Sequence, residues 1–460
     1  MKKISLLVVM SLCMTTGVFA NEPETKTVKL SSSCKIDKDV TKDALNLSDV
    51  IELAMCNNPT TRQAWLLTKA GDAGYKKSLG EYLPHISASA SYQKSEVENH
   101  TVSPVTSAES KGADAGLSLS WLLYDFGKRE ASVEKTFQAM NSYNFRYNNT
   151  LQQAAYDAIV AYYDALSAVE ELAAVKANEE ASLKSFELAS KKFELGMSSK
   201  ADILQAETTY GQAQLGTTKQ EQVVRTTNAN LAKLLGLSPA QEIKLQHSFA
   251  NATDTFVEKS IDELVEIAMA KRPDLQAKIA DVKASYANVR SASATYFPTI
   301  SAFGSKSWND NSDPKLNNFD RDTESYAIGV KVSMPIFTGF ENTYSLRNAK
   351  YQYAADKEAL QNLEQDIELS VVNAYNSYKT AEKSLVIAKK LFESAVENEK
   401  VALGSFQAGK GDIISLMEAQ SKLLSARKSL IAAQYGVYTT KIALLKVAGS
   451  LTLQNLGEVK

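Results

Sequence analysis

Proline and glycine are scarce in this sequence, and their distribution is uneven. Only 9 of the 460 residues are proline, and none of them lies between Pro104 and Pro239 or after Pro335. Two segments, 128–195 and 340–403, contain neither proline nor glycine over 68 and 64 residues. Because nothing in these segments breaks a helix, each predicts one helix of about 100 Å, roughly three times the thickness of a membrane.

The sequence also lacks the charge and the side chains that several function classes require. Its 51 basic and 53 acidic residues give a net charge of -2, so there is no polycationic surface to bind nucleic acid. There is no glycine-rich phosphate loop and no catalytic Ser-His-Asp or Cys-His set in a recognisable context. None of the three histidines has ligand spacing to a cysteine. The sequence therefore predicts a protein that is not an enzyme and uses no cofactor or metal.

A long hydrophobic run occurs only at the N-terminus. Lys2 and Lys3 precede an apolar run over 4–19, and Ala20 suits a signal peptidase, so residues 1–20 are predicted to be a cleaved signal peptide. No later run reaches the roughly 18 apolar residues that a membrane-spanning helix needs. Any passage through a membrane must therefore use strands.

Two cysteines, Cys34 and Cys56, remain after removal of the signal peptide. Disulfides persist in the compartments that exported proteins enter, so we predict an intrachain disulfide between these two residues. The bridge would tie the N-terminal segment 21–46 to the first helix and would stabilise the fold by about 3 kcal/mol. The alternative is a pair of unpaired, buried thiols.

The sequence is an internal duplication. Residues 47–55, followed by Pro59, match residues 261–269, followed by Pro273, at an offset of 214. Other matches keep an offset of 214 or 213: Tyr82 with Tyr296, Phe193 with Phe406, Gly196 with Gly409, and Gly236 with Gly449. These matches define two repeats, 47–236 and 261–449, joined by a linker at 237–260 and followed by a tail at 450–460.

Each repeat contains two segments in which apolar and polar residues alternate. The alternation predicts four strands, at about 86–93, 116–124, 300–308 and 326–334. The polar segments between them, 94–115 and 309–325, are predicted to be irregular loops in solvent. The alternative is a soluble hairpin packed on helices, but small serine and alanine side chains would make a poor soluble core, so we predict that the strands face lipid. Aromatic residues expected at the membrane interface are Tyr82, Trp121, Tyr124, Phe126, Tyr296, Phe297, Phe337 and Phe340.

The long helices make up the rest of each repeat. A glycine-bearing tip reverses the chain after each of them, at Gly196 and Met197 in the first repeat and at Gly409 and Gly411 in the second. The helical hairpins are thus predicted over 128–236 and 340–449. Apolar and small residues spaced by three and four predict a coiled-coil seam at Leu363, Ile367, Val371, Ala374, Tyr378, Ala381, Leu385, Ala388, Leu391 and Ala395.

Four strands cannot close a barrel, and open strand edges are not tolerated in hydrocarbon. Several chains must therefore pool their strands, and three chains with four strands each would supply twelve. We predict an internally duplicated, mixed α/β fold in which a trimeric 12-stranded outer-membrane β-barrel continues into a 12-helix periplasmic α-barrel. A barrel of this size encloses a water-filled lumen, so the assembly would be a conduit.

In their order and their duplication, these motifs resemble the TolC family of outer-membrane efflux and secretion channels. The resemblance covers 47–449 and rests on Asn57-Asn58-Pro59, the Tyr-x-Pro motifs, the match of 123–127 to 336–340, and the Phe-x-x-Gly tips. It implies a homotrimer in the cell outer membrane that extends into the periplasm and ends in a closed mouth. It also implies three partners, namely outer-membrane lipid, a periplasmic membrane-fusion adaptor, and an energised inner-membrane transporter of the ABC or proton-driven type.

The resemblance implies that charged residues just after the tip glycines hold the mouth closed. Asp202 occupies the place of the family's aspartate, whereas Gly411 replaces its arginine partner and leaves Lys410 as the candidate substitute. Two acidic constriction residues correspond to Ser415 and Glu418, so three copies of Glu418 would form one acidic ring. The alternative for these charges is a solvated helix face. The tip residues expected to meet the adaptor are Gly196, Met197, Gly409 and Gly411.

The sequence around the first Asn-Pro gives a finer resemblance. Cys56 precedes Asn57-Asn58-Pro59, and residues 61–65 are Thr-Arg-Gln-Ala-Trp, which is similar to the branch that serves type I protein secretion. We therefore predict an outer-membrane exit duct that passively conducts an exported polypeptide. The alternatives are a duct for multidrug or other small-molecule efflux and, more distantly, a trimeric surface adhesin or a periplasmic adaptor.

Overall fold

The computed structural model describes residues 43–99, 106–246, 259–313 and 319–451. The predicted signal peptide and Cys34 lie outside the described residues, as do parts of the predicted linker and tail.

The two repeats fold into the same series of elements. The first forms α1 (Leu47–Asn57), α2 (Pro59–Leu79), β1 (His85–Asn99), β2 (Thr106–Tyr124), α3 (Lys128–Glu194) and α4 (Lys200–Leu234). The second forms α5 (Ile261–Lys271), α6 (Pro273–Ala294), β3 (Thr299–Asp313), β4 (Phe319–Ser333), α7 (Glu341–Gln407) and α8 (Ile413–Val447). Helices α3 and α7 have 67 residues each, and α4 and α8 have 35 each. None of the described helices is both long enough and apolar enough to cross a membrane.

The strands are longer than the sequence predicted. β1, β3 and β4 have 15 residues each and β2 has 19, because their ladders continue through polar residues. Lys94 pairs with Lys111, and the same register continues to Asn99 opposite Thr106. The prediction of irregular loops over 94–115 and 309–325 is therefore wrong for most of both segments. Alternation detects only a strand with one apolar face, and a strand that continues into solvent needs no such face.

The four strands form one antiparallel sheet in the order β1-β2-β3-β4. Ile86 lies opposite Leu119, and Ile300 opposite Val332, so apolar residues share one face. Serines dominate the other face, where hydroxyl groups of neighbouring strands form hydrogen bonds such as the 2.7 Å contact of Ser87 with Ser118. The sheet therefore has one face suited to lipid and one suited to water.

Equivalent side chains join the start and the end of each repeat. In the first repeat, Asn58 Nδ2 donates to the carbonyl oxygen of Leu234 at the end of α4, at 3.1 Å. In the second, Arg272 Nη1 donates to the carbonyl oxygen of Val447 at the end of α8, at 3.3 Å. Each contact satisfies a carbonyl group that the helix end leaves without an intrahelical partner. This explains why a polar residue precedes the helix-starting proline in both repeats.

The long helices lie side by side in the order α4, α3, α8, α7. The largest core lies where α1 meets α3, α4 and α8, and Tyr162 and Tyr163 are fully buried there. The seam of α7 buries Ile367, Val371, Tyr378, Ala388 and Ala395. Leu391 is instead 51% exposed, which corrects its predicted place in the seam. It belongs to a second row of apolar residues on α7.

Two rows of exposed apolar side chains mark the two ends of this row of helices. We call them the α4 stripe and the α7 stripe. The α4 stripe consists of Leu204, Leu215 and Val223. The α7 stripe consists of Leu369, Val386, Ile387, Leu391 and Val401. Within the described row of long helices, α4 and α7 each have a long neighbour on one side only, so each stripe is open to a further helix.

Candidate gate at the hairpin tips

Both hairpin tips are tight turns around a glycine in the left-handed conformation, Gly196 with φ of 70° and Gly409 with φ of 73°. In the first tip, the Ser199 hydroxyl accepts the amide of Asp202 at 3.2 Å. The Asp202 carboxylate accepts the amide of Ser199 at 2.9 Å and the hydroxyl of Ser198 at 3.0 Å. Asp202 is thus the acidic member of a capping box at the start of α4.

The second tip has a related cap and a more crowded turn. Asp412 accepts the amide of Ser415 at 2.7 Å and its hydroxyl at 2.9 Å. Ser415, a predicted constriction residue, is therefore part of the cap of α8. A Cβ atom at Gly411 would lie 3.1 Å from Ser405 Cβ and 3.2 Å from the Phe406 nitrogen. This close approach disfavours a side chain where the TolC family has its arginine.

The two caps use the same residue types in exchanged positions. Ser199 and Asp412 are equivalent at an offset of 213, as are Asp202 and Ser415. Hydrogen bonds from an amide, and then from serine hydroxyls, lower the pKa of both aspartates. Both carboxylates are therefore charged at neutral pH, and each lies at a helix N-terminus, where the helix dipole favours negative charge.

The other predicted gate residues lie on exposed surfaces near the tips. Within the described residues, Asp202 forms its hydrogen bonds with Ser198 and Ser199 rather than with Lys410. Lys410 lies exposed in the second tip. Glu418 is exposed on α8, and its Oε1 lies 2.7 Å from Lys422 Nζ. The charge of Glu418 is thus partly balanced one helical turn away.

Contacts between the two hairpins were missed by sequence analysis. Lys192 Nζ, near the end of α3, donates to the carbonyl oxygen of Phe406, near the end of α7. Further from the tips, the buried Gln420 on α8 donates from Nε2 to Ser185 Oγ on α3 at 3.0 Å. The one available signal was that Lys192 directly precedes the first Phe-x-x-Gly motif. Residues of both hairpins form a buried apolar cluster between these contacts: Ala189, Ala206, Phe406, Ile413, Leu416 and Met417.

The predicted interfacial aromatics lie at the end of the sheet that adjoins the helices, and all eight are exposed. Phe126 of the first repeat stacks on Phe297 of the second, with ring centroids 5.6 Å apart. A further set at the opposite end of the apolar face was missed, namely Tyr92, Trp308 and Tyr326. Tyr326 lies in β4 and Phe337 follows the end of that strand, and the exposed Ile328, Val330 and Val332 lie between them. Aromatic residues thus bracket the apolar band of the sheet, as they do in outer-membrane strands.

Cys56 lies near the end of α1 and is disulfide-bonded. Cys34 lies outside the described residues, so its pairing with Cys56 stays a prediction. The tip residues expected to meet an adaptor are placed at the far end of the long helices from the sheet, and Met197 is 67% exposed. Leu195 beside it is 74% exposed, so the first tip presents an apolar surface.

Comparison with known proteins supports this architecture. A family model described as outer membrane efflux protein matches residues 50–237 and 264–450. The chain is 25% identical over 419 residues to protein CyaE of Bordetella pertussis, covering 89% of this chain and 85% of that protein. It is 24% identical over 424 residues to outer membrane protein TolC of Vibrio cholerae, covering 90% and 93%.

Solved structures show the same fold. The Campylobacter jejuni CmeC outer membrane channel matches with a TM-score of 0.75 and 17% identity, covering 88% of this chain and 85% of that chain. This likeness confirms the predicted fold class. Together with the family match over both repeats, it shows that the chain belongs to the outer membrane efflux protein family, whose members are channels of the outer membrane rather than enzymes.

Proposed function

We propose that the protein is the exit duct of a tripartite export system. An energised inner-membrane transporter and a periplasmic adaptor would deliver the substrate, and the duct would conduct it passively through periplasm and outer membrane. The observation that carries this proposal is the joining of a sheet with an apolar face to helices of 67 residues, each about 100 Å long. Such helices extend far beyond the membrane, so one molecule can line the whole route.

A homotrimer is the assembly that the exposed surfaces favour. β1 and β4 are the edges of the sheet, and unpaired strand edges are costly in lipid. The α4 stripe and the α7 stripe lie at opposite ends of the row of helices, where a neighbouring copy would cover both. Each chain thus presents both halves of one contact, and head-to-tail association forms a ring where the rotation between neighbours closes, as a third of a turn does for three copies. Three copies give the twelve strands and twelve helices that the sequence predicts.

Matched cysteine pairs test this assembly. Leu204 lies eight residues after Gly196, and Val401 lies eight residues before Gly409, so they lie at the same height on α4 and α7. In a trimer, each Leu204 would face Val401 of the next chain. We expect oxidation of a Leu204→Cys, Val401→Cys variant to produce a ladder that ends at the covalent trimer on a denaturing gel.

The control combines Leu204→Cys with Leu391→Cys. Leu391 lies 18 residues before Gly409, which places it about 15 Å further from the tip than Val401. This mismatched pair should leave the chain monomeric on the gel. Equal ladders from both pairs, or no ladder from the matched pair, would refute the proposed neighbour contact.

We infer that the tips form a charged gate in this trimer. Three copies of Glu418 would converge on the axis, each accompanied by Lys422 on the same helix. We propose that Asp202 and Lys410 pair between the tips of neighbouring chains, because within one chain Asp202 binds Ser198 and Ser199 instead. Converging carboxylates favour cations at a constriction, as acidic rings do in other pores. Lys422 would weaken that preference.

Opposite effects are expected from the two members of this pair in planar bilayers. Glu418→Gln should lower the cation-to-anion permeability ratio, and Lys422→Gln should raise it, each by about two- to fivefold, as expected for exposed charges. Lys184→Gln is the matched control, because Lys184 forms an exposed pair of the same spacing and length, 2.7 Å, with Glu180 on α3. If Glu418→Gln behaves like Lys184→Gln, the constriction lies elsewhere.

We propose that the adaptor binds the tips, where Leu195 and Met197 are exposed beside the turn. For the cargo we propose a polypeptide exported by type I secretion, because Cys56 precedes Asn57-Asn58-Pro59 as in that branch of the TolC family. Small-molecule efflux is the second candidate, and the description of the matching family favours it.

A gene deletion separates the two cargo classes. Proteins released into the medium are compared by quantitative mass spectrometry, and tolerance to a panel of drugs, dyes and detergents is measured in the same strains. For protein export, we expect one or a few polypeptides to disappear from the medium, with tolerance unchanged. Loss of tolerance with an unchanged set of released proteins would support efflux instead, and no change in either measurement would refute the exit-duct function.

A further inference from the structure

One cation joins the ends of the two hairpins within a single chain. Lys192 Nζ donates a hydrogen bond to the carbonyl oxygen of Phe406 and lies over the ring of the same residue, 4.0 Å from its centroid. An ammonium group over an aromatic face is attracted by the ring, and the attraction strengthens when the site is partly desolvated. The ammonium group of Lys192 thus binds both the backbone carbonyl and the aromatic ring of Phe406.

The acceptor is held rigidly. Phe406 is only 5% exposed and packs with Ala189 of the first hairpin and Leu416 of the second. The turn that follows it is fixed by hydrogen bonds from the amides of Lys410 and Gly411 to the carbonyl oxygen of Ser405, at 2.9 and 3.0 Å. A cation bound at Phe406 therefore acts on the whole second tip rather than on one mobile side chain.

The contact has no counterpart in the other repeat. The residue equivalent to Lys192 is Ser405, whose side chain is too short to reach across to the other hairpin. The crowding at Gly411 also leaves little space for a side chain that could replace it from the second tip. Within the described residues, Lys192 is thus the cation that links the two tips.

We propose that Lys192 is a positioning residue of the gate, which latches the two hairpin tips of one chain together and keeps the mouth narrow. The role in the gate rests on the proposed duct function. Because both residues of the latch belong to one chain, the latch requires no contact between chains. Release of Lys192 should let the second tip move away from the first, since the contacts that remain near the tips are the apolar cluster, the contact of Ser185 with Gln420 and the weak contact of Thr209 Oγ1 with Met417 Sδ at 3.4 Å.

Limited proteolysis with trypsin tests the latch directly. Lys192→Met removes the charge and keeps the length of the side chain, and we expect cleavage after Lys410 to become about fivefold faster because the turn opens more often. Lys191→Met is the matched control: it also removes one trypsin site in α3, and Lys191 is exposed. Lys192→Arg keeps the charge and should be cleaved as slowly as the wild type. If Lys192→Met acted only by lowering general stability, restoring the charge would not restore slow cleavage.

Planar bilayers provide the second measurement. Lys192→Met should raise the resting conductance, whereas Lys191→Met and Lys192→Arg should match the wild type. Equal cleavage rates and equal conductance for Lys192→Met and Lys191→Met would overturn the latch. A wild type that forms no channel would instead refute the duct, while the proteolysis would still decide whether Lys192 holds the tips together.

Discussion

Gly236→Ala is expected to lower the free energy of unfolding by about 2–5 kcal/mol. A Cβ atom at this position would lie 2.4 Å from the carbonyl oxygen of Asn57 and 2.8 Å from its carbonyl carbon. Gly236 also has φ of 70°, which costs a residue with a side chain further energy. The backbone at the end of α4 would have to move away from the α1–α2 corner. Thermal unfolding followed by circular dichroism in detergent measures the loss.

Gly196→Ala separates the cost of the steric clash from the cost of the positive φ. Gly196 has the same φ of 70°, but among the described residues no atom beyond its two chain neighbours lies within 4 Å of the position of its Cβ. This variant should therefore cost only the conformational part, about 1 kcal/mol. Gly449→Ala should be intermediate, since its Cβ would approach the backbone of Lys271 and Arg272 at 3.0–3.2 Å. If both variants lose the same free energy of unfolding, the end of α4 moves away from Asn57 without cost, and the close approach at Gly236 does not matter.

Arg129→Met is the second substitution with a large expected effect, about 3–5 kcal/mol. Arg129 lies where the sheet meets α3, and its guanidinium donates to the carbonyl oxygens of Leu122 at 2.7 Å and Leu123 at 3.0 Å. Its Nε lies 3.3 Å from the Asp125 carboxylate, which is itself only 5% exposed. Methionine would remove the cation beside the Asp125 carboxylate, which would keep only the backbone amide of residue 129, and would leave the strand-end carbonyls without their donor.

Two further variants show whether the buried charge is the cause. Arg290→Met removes an arginine from an exposed pair with Glu130 at 3.4 Å and should cost less than about 1 kcal/mol. Adding Asp125→Asn to Arg129→Met should recover part of the loss, because the unpaired charge is then gone. If the double variant is no more stable than Arg129→Met, the strand-end carbonyls account for the effect. Thermal unfolding in the same detergent compares all three.

The helices were predicted well from the sequence because helix formation depends mainly on residues close together in the chain. Long segments without glycine or proline have no reason to stop, and α3 and α7 each run for 67 residues. The strand ends were predicted poorly because a ladder in solvent is held by backbone hydrogen bonds, which leave no mark on residue type. Leu391 shows the same limit on a helix, since spacing alone does not tell which of two neighbours an apolar residue faces.

The candidate site was only partly accessible from the sequence. Position relative to the tip glycines located Asp202 and Glu418, but it could not reveal that Asp202 and Ser415 belong to helix caps. The spacing of both caps is visible in the sequence, because Ser199 lies three residues before Asp202 and Asp412 lies three residues before Ser415. The contact of Lys192 with the carbonyl oxygen and the ring of Phe406 joins residues 214 positions apart, and its one signal in the sequence is the lysine directly before the first Phe-x-x-Gly motif.

The two hairpins of one chain differ in sequence at their tips, as the exchanged caps show, and this has an evolutionary consequence. In a ring of six identical hairpins, every substitution at the mouth would appear six times. In the proposed trimer, with two hairpins in each chain, the rotational symmetry would be threefold, and neighbouring hairpins could diverge. Glu418 is an acid, whereas the equivalent position in the first repeat is the neutral Gln205. In that trimer, the duplication would let charge vary from one hairpin to the next around a single pore, so that a narrow mouth could carry three acidic residues rather than six.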